Sequence, residues 1–201
     1  DGQIPERGKS RMSNWSPDIF AKAWHFASLH HAGQTYAGPE EGVSFDYLTH
    51  VGSVAVELIW ALQTTPDADG DLAIQCAVLH DVIEDTDATY DLVAKVFGKT
   101  VADGVMALSK NPTLPTKTEQ MTDSLRRIRE QPREIWMVKM ADRIANLDPP
   151  PYYWDAAKIE AYRREAIVIH DALHTANETL ANRLYEKIEQ YKRFLRNPTD
   201  E

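Results

Sequence analysis

The chain has 201 residues, 43% hydrophobic and 26% charged, which is enough to bury one full core and ordinary for a globular protein. Its 31 acidic and 22 basic side chains leave a formal net charge of -9, arguing against broad binding to nucleic acid or to an anionic membrane. The only cysteine, Cys76, rules out an intrachain disulfide framework, so a reducing, cytoplasmic setting is expected.

No apolar run approaches the ~20 residues needed to cross a bilayer, and no signal-peptide pattern is present. Asp1 to Arg11 is polar and unpatterned, and Met12 could be a natural start. Residues 1–15 therefore read as a disordered tail or expression leftover, and 16–197 as a single domain. Ser16-Pro17-Asp18 combines an N-cap, a first-turn proline and an acidic first turn, and Gly33 stops the helix that follows. Gln34 to Tyr47 reads as a loop leading to His50, and Val51 to Leu62 as a second helix. A turn at Pro66 to Gly70 precedes the apolar helix carrying Cys76, whose thiol is expected to be buried and inert. Thr89 caps a short helix ending at Gly98, and another runs from about Thr100 to Ser109. The loop from Asn111 to Thr118, with its two prolines, could be a lid or an ordinary connector. A charged helix follows as far as Pro132. Glu134 to Leu147 forms the next, ended by Pro149-Pro150-Pro151. From Asp155 to Leu195 the helical period is nearly continuous, with a break expected near Thr175 to Asn177. No alternating run is long enough for a sheet. The predicted architecture is all-α, a single helical bundle.

One run stands out. His80-Asp81 followed by Glu84-Asp85 places four ionisable groups in an otherwise apolar stretch that begins near Leu72. On a continuous helix His80 would stack on Glu84 and Asp81 on Asp85, crowding all four on one face. Burying that charge without a partner would cost several kcal/mol or more, so a metal ion with its water is the economical explanation. Further ligands must come from elsewhere. His50 lies at a helix start, and Asp142 sits in the mostly apolar Val138 to Leu147. Two imidazoles and two carboxylates suit a divalent ion such as Mn²⁺, Fe²⁺ or Zn²⁺ with open water positions. Glu84 and Asp85 would then orient the water and move its proton. Each residue taken alone has a plainer reading: His50 as a satisfied histidine, Asp142 as a partner for Arg143 or Lys139, and Glu84-Asp85 as a solvated helix end.

The motifs taken together resemble the HD phosphohydrolase superfamily, and within it the RelA/SpoT-type alarmone hydrolases. The landmarks are His31-Ala-Gly-Gln34, Tyr47-Leu-Thr-His50, Leu79-His-Asp-Val-Ile-Glu-Asp-Thr86, Val105 to Lys110, and Lys139-Met-Ala-Asp-Arg-Ile-Ala-Asn-Leu147. The resemblance implies an HD-domain hydrolase, usually loaded with Mn²⁺, that removes the 3′-pyrophosphate of (p)ppGpp-type nucleotides. It would be a guanosine-3′,5′-bis(diphosphate) 3′-pyrophosphohydrolase-like enzyme of stringent-response chemistry. Carried over by motif, His50, His80, Asp81 and Asp142 match metal ligands, and Glu84 and Asp85 match the water-activating pair. Asn146 matches a nucleotide contact, and Tyr162 a substrate-side tyrosine. The length fits the stand-alone small alarmone hydrolases, which include metazoan SpoT homologues.

The sequence also departs from that family. An Arg-Lys pair usually follows the His-x-Gly-Gln element, whereas Thr35, Tyr36, Ala37 and Gly38 stand here, and Val51 replaces the usual proline. The adenine alarmone (p)ppApp is therefore a candidate substrate beside the guanine form. Tyr36 could stack on the base or simply anchor its loop. Lys110, Lys117, Arg126, Lys139 and Arg143 are candidate phosphate contacts. Tyr152, Tyr153 and Trp154 are candidates for the wall of a nucleotide pocket. A second His-Asp, in His170-Asp-Ala-Leu-His174, has helix spacing resembling a metalloprotease motif but no evident third ligand, so it reads as a surface stripe. Two rival functions share some of these features: another HD-type nucleotide phosphohydrolase or phosphodiesterase, and a non-catalytic nucleotide-binding protein. The expected partner is a nucleotide, with no nucleic acid and no membrane, and nothing in the sequence specifies an oligomeric state.

Overall fold

The computed structural model describes residues 14–195. The tail expected over residues 1–13 and the domain end at 196–197 lie outside the described residues. Asn14 and Trp15, grouped with the tail on sequence, are anchored. The Asn14 amide donates to the carbonyls of Thr65 and Ala68 at 3.1 Å each, and the Trp15 ring packs 6.4 Å from Phe20.

The helices are α1 (Pro17–His30), α2 (Tyr47–Leu62), α3 (Gly70–Leu79), α4 (Val82–Asp85), α5 (Tyr90–Phe97), α6 (Lys99–Leu108), α7 (Lys117–Arg129), α8 (Arg133–Asn146), α9 (Ala156–Leu173) and α10 (Glu178–Tyr191). Their ends follow local chemistry. The Ser16 hydroxyl accepts from the Asp18 amide ahead of Pro17, and Thr116 and Glu119 form a reciprocal capping box at α7. The break expected between the last two helices falls where predicted. A 3₁₀ turn spans His174–Ala176, and the Asn177 side chain then caps α10 at the Leu180 amide (2.8 Å). The Asn177 amide also donates to the Thr65 hydroxyl at 2.6 Å, tying the C-terminal hairpin to the end of α2.

Helix α8 is the axis of the bundle. Ten of its 14 residues are buried, so any charged group on it must find a partner inside the protein. Helices α2 and α3 pack against it and against each other, α1 covers α3, and the α9–α10 hairpin closes the opposite side. Helix α6 approaches α3 and α8 through Gly104, where a methyl group would stand 2.6 Å from Ile135 Cδ1 and 2.9 Å from Cys76 Sγ. Cys76 is fully buried as expected, and burial pushes its thiol well above the usual range. Among the described residues no helix is long and apolar enough to cross a membrane.

Three sequence expectations need correction. The segment after α1 is not all loop: Thr35–Ala37 (β1) and Ser44–Asp46 (β2) pair antiparallel, with Tyr36 opposite Phe45. Three-residue strands are too short for alternation to register, and the hairpin is held by the Tyr36–Phe45 ring contact at 5.6 Å and by Gly42 at φ 82°. The charged run, moreover, is not one continuous helix. Helix α3 ends at Leu79, and Asp81 (φ -106°, ψ -2°) breaks the chain before the single turn of α4. Helix α2 begins at Tyr47 rather than Val51, which places His50 in its first turn.

A candidate metal centre beside two carboxylates

His80 and Asp81 follow directly on the end of α3, both in helical φ/ψ, and their side chains reach one point. The His80 Nε2 and Asp81 Oδ2 atoms lie 2.9 Å apart. His80 Nδ1 sits 2.8 Å from the Ala77 carbonyl, and because a carbonyl only accepts, Nδ1 carries a proton and Nε2 is the atom turned toward the cluster. From α2, His50 brings its own Nε2 to 3.2 Å from that of His80. From α8, Asp142 Oδ1 lies 3.4 Å from His50 Nε2 and 3.8 Å from His80 Nε2.

His50, His80 and Asp142 thus present ligand atoms that all lie within 4.8 Å of one another, and all three residues are buried. Asp81 Oδ2 stands beside the set, 3.8 Å from His50 Nε2. Two imidazole nitrogens in near contact, flanked by carboxylates and taken out of water, form a donor set that suits a divalent ion. The electrostatics agree. Burial pulls the His80 imidazole down, but the carboxylates of Asp81 and Asp142 outweigh it and lift it to about 9. Burial likewise pushes Asp142 up, yet Lys139 and the two imidazoles hold it well below the usual carboxylate range.

Helix α8 supplies its own supports. Lys139, one turn before Asp142, places Nζ 2.9 Å from Asp142 Oδ2. Asn146, one turn after, donates from Nδ2 to Asp142 Oδ1 at 2.5 Å and to the Asp142 carbonyl at 3.1 Å. The sequence reading marked Lys139 and Asn146 for the substrate; the structure shows their polar groups engaged with Asp142.

Glu84 and Asp85 open onto the same space. Glu84 uses both carboxylate oxygens on Lys110, one on the backbone amide and one on Nζ, each at 2.8 Å. The Tyr47 hydroxyl is within hydrogen-bond reach of two carboxylate oxygens, Asp81 Oδ2 and, at 3.1 Å, Asp85 Oδ2. Tyr47 was quoted in the sequence only as a landmark before His50. Its signal was that spacing, since residues three apart share a helix face. His31 was likewise quoted only as a landmark; it is buried and stacks on Tyr47 at 4.7 Å.

A cavity of about 820 Å³ joins these groups. The candidate ligands, the Glu84–Asp85 pair, Lys139, Arg143 and Asn146 all line it, as do Tyr36 on the hairpin and Tyr162 on α9. The Arg143 guanidinium lies 4.2 Å over the Tyr162 ring, with Glu165 at 3.4 Å. Lys110, Lys117, Tyr153 and Trp154 also line the cavity, whereas Arg126 and Tyr152 do not. Arg126 is instead spent on Asp123 and Glu130. Tyr152 stays half-exposed, its amide donating to the Gly38 carbonyl at 3.2 Å. The second His-Asp is a surface feature as expected: the Asp171 side chain is 72% exposed, and among the described residues no metal-ligand group includes His170 or His174.

The helical bundle has known counterparts. The chain belongs to the HD domain family, whose model matches residues 23–184. Among curated proteins it is 29% identical over 179 residues to the guanosine-3′,5′-bis(diphosphate) 3′-pyrophosphohydrolase MESH1 of Danio rerio, covering 87% of this chain and 95% of that one. It is 36% identical over 122 residues to the bifunctional (p)ppGpp synthase/hydrolase SpoT of Escherichia coli K12, covering 58% of this chain and 16% of that much longer protein. A solved structure described as a metazoan SpoT orthologue that hydrolyses ppGpp superposes with a TM-score of 0.74 at 26% identity, covering 90% of this chain and 99% of that one.

Proposed function

We propose that this protein is a metal-dependent hydrolase of the 3′-pyrophosphate of alarmone nucleotides, releasing pyrophosphate and a 5′-phosphorylated nucleoside. The observation that carries this reading is the shared cavity, in which a buried His50–His80–Asp142 set and the Glu84–Asp85 pair face one space. The names of the relatives supply the substrate class. His50, His80, Asp81 and Asp142 would hold the ion, with Mn²⁺ the metal of choice. When bound, the ion supplies charge neutralisation at the phosphate and a lowered pKa for water.

The chain's own residues divide the remaining work. Asp85 uses only Oδ2, toward Tyr47, so its second oxygen can accept the proton of a water aimed at the 3′-linked phosphorus. Glu84, both of whose oxygens are engaged by Lys110, orients that water rather than taking its proton. Lys110, Lys117 and Arg143 present cations to the phosphates from the cavity wall. Lys139 and Asn146 hold Asp142 in place. Tyr153, Trp154 and Tyr162 offer aromatic surface to the nucleoside.

The hairpin favours a second substrate. Thr35, Tyr36 and Ala37 line the cavity where the family's Arg-Lys pair would stand, so the purine meets uncharged groups and (p)ppApp fits beside (p)ppGpp. The compartment consistent with this chemistry is the cytoplasm. The test is direct: incubate the Mn²⁺-loaded protein with ppGpp, ppApp and ordinary nucleoside triphosphates, and identify the products. Pyrophosphate should leave both alarmones and neither ATP nor GTP, and Glu84→Gln should abolish its release. No pyrophosphate from either alarmone would sink the reading.

A further inference from the structure

We infer that Tyr47 is a positioning residue that couples the metal-holding carboxylate Asp81 to the water-side carboxylate Asp85, with His31 and Gln34 as its brace. The inference rests on the reading of the site given above.

The Tyr47 hydroxyl has one hydrogen and two carboxylate neighbours, Asp81 Oδ2 and Asp85 Oδ2. It can donate to only one of them at a time. A phenol fixed between two anions is stable only if something else offsets the second charge, and the His50–His80–Asp142 set beside Asp81 is where a cation would do so. Whatever draws charge from Asp81 thereby frees the Tyr47 proton for Asp85. The hydroxyl is thus a link between the two halves of the site, which the break at Asp81 separates along the chain.

The ring is held as well as its hydroxyl. His31 lies flat on it, with centroids 4.7 Å apart and planes 28° apart, and the Tyr36 ring meets it edge-on at 6.4 Å. His31 Nδ1 is 2.7 Å from Gln34 Oε1, and the Gln34 carbonyl accepts from the Tyr47 amide at 2.9 Å. Gln34 therefore anchors both the histidine and the first residue of α2. With Nδ1 spent on Gln34 and Nε2 without a partner, His31 acts through its flat face.

Tyr47→Phe is the decisive variant, because it keeps the ring and removes only the O–H. Three quantities should be measured on the wild type, Tyr47→Phe and His31→Phe: Mn²⁺ affinity by calorimetry without substrate, kcat and KM for ppGpp, and the melting temperature of the metal-free protein. Loss of a group that orients a metal ligand weakens metal affinity or activity about 10- to 100-fold. Tyr47→Phe should therefore weaken Mn²⁺ binding by about 10-fold or more and lower kcat by a similar factor, with KM within twofold. His31→Phe, which preserves a flat ring against Tyr47, should retain most of both. Four outcomes overturn the inference. They are unchanged Mn²⁺ affinity, unchanged kcat with weakened Mn²⁺ binding, an effect confined to KM, or a collapse of melting temperature that accounts for the losses. The calorimetry stands apart from the substrate assignment. If the wild type released no pyrophosphate from ppGpp, the proposed function would fail, and Mn²⁺ affinity would still decide whether Tyr47 positions Asp81.

Discussion

The chain contains the same dipeptide twice, and only one copy makes a site. His80-Asp81 falls where α3 ends, with His80 Nε2 2.9 Å from Asp81 Oδ2, and His80 is 2% exposed. His170-Asp171 lies inside α9, where neighbouring side chains diverge, and the Asp171 side chain is 72% exposed. His80 has its Nδ1 proton placed on a backbone carbonyl and its Nε2 aimed at His50. His170 has a stacked ring from His174 at 5.6 Å and a weak contact to its own neighbour at 3.5 Å. A His-Asp pair becomes a candidate ligand through burial and facing partners such as His50 and Asp142, and the residue types alone do not supply these.

That contrast can be tested from both ends. Removing a first-site ligand should have the largest effect: His80→Ala should cost on the order of 10³-fold or more in kcat/KM, since groups that act as a unit fail together. It should also remove Mn²⁺ binding in calorimetry. The next effect should be on stability. Lys139→Met leaves Asp142 buried without its cation, and breaking such a pair typically costs about 3–5 kcal/mol. Chemical denaturation of the metal-free variant should show that loss, and added Mn²⁺ should recover part of it by binding only the folded state. Asn146→Ala comes third. If its amide serves Asp142, as the 2.5 Å contact indicates, Mn²⁺ affinity and kcat should fall about 10-fold or more with KM little changed. A rise in KM alone would return Asn146 to the nucleotide. The smallest effect belongs to the second pair. The double variant His170→Ala/His174→Ala should keep Mn²⁺ affinity and kcat/KM within twofold, and a larger loss would break the comparison.

Much of the fold was legible because helix ends carry their own chemistry. Ser16-Pro17, Thr116 with Glu119, and Asn177 each mark a boundary that the structure places within a residue or two. The cluster of His50, His80 and Asp142 was legible as a candidate because charged residues in an apolar helix demand a partner. What stayed hidden depended on tertiary contact. The hairpin is held by Tyr36 against Phe45 across a turn, a pairing that a three-residue alternation does not announce. The break between α3 and α4 leaves His80 and Asp81 in helical φ/ψ and carries neither proline nor glycine, so no local signal marks it. Lys139 and Asn146 line the expected cavity, and their hydrogen bonds to Asp142 are contacts the spacing did not announce. Which side chain receives a donor is decided by distances no spacing rule contains.

The arrangement along α8 has a consequence for how the site tolerates change. Lys139, Asp142 and Asn146 stand at successive turns of one rigid helix, and the bonds among them involve no other element. A small slide or rotation of α8 within the bundle would carry the carboxylate, its cation and its amide together, leaving their mutual geometry intact. The two histidines have no such insurance. His50 and His80 come from different helices and meet at 3.2 Å, so the fit between α2 and α3 is where the centre is least forgiving. Substitutions that swell that interface should loosen the site sooner than equal changes behind α8.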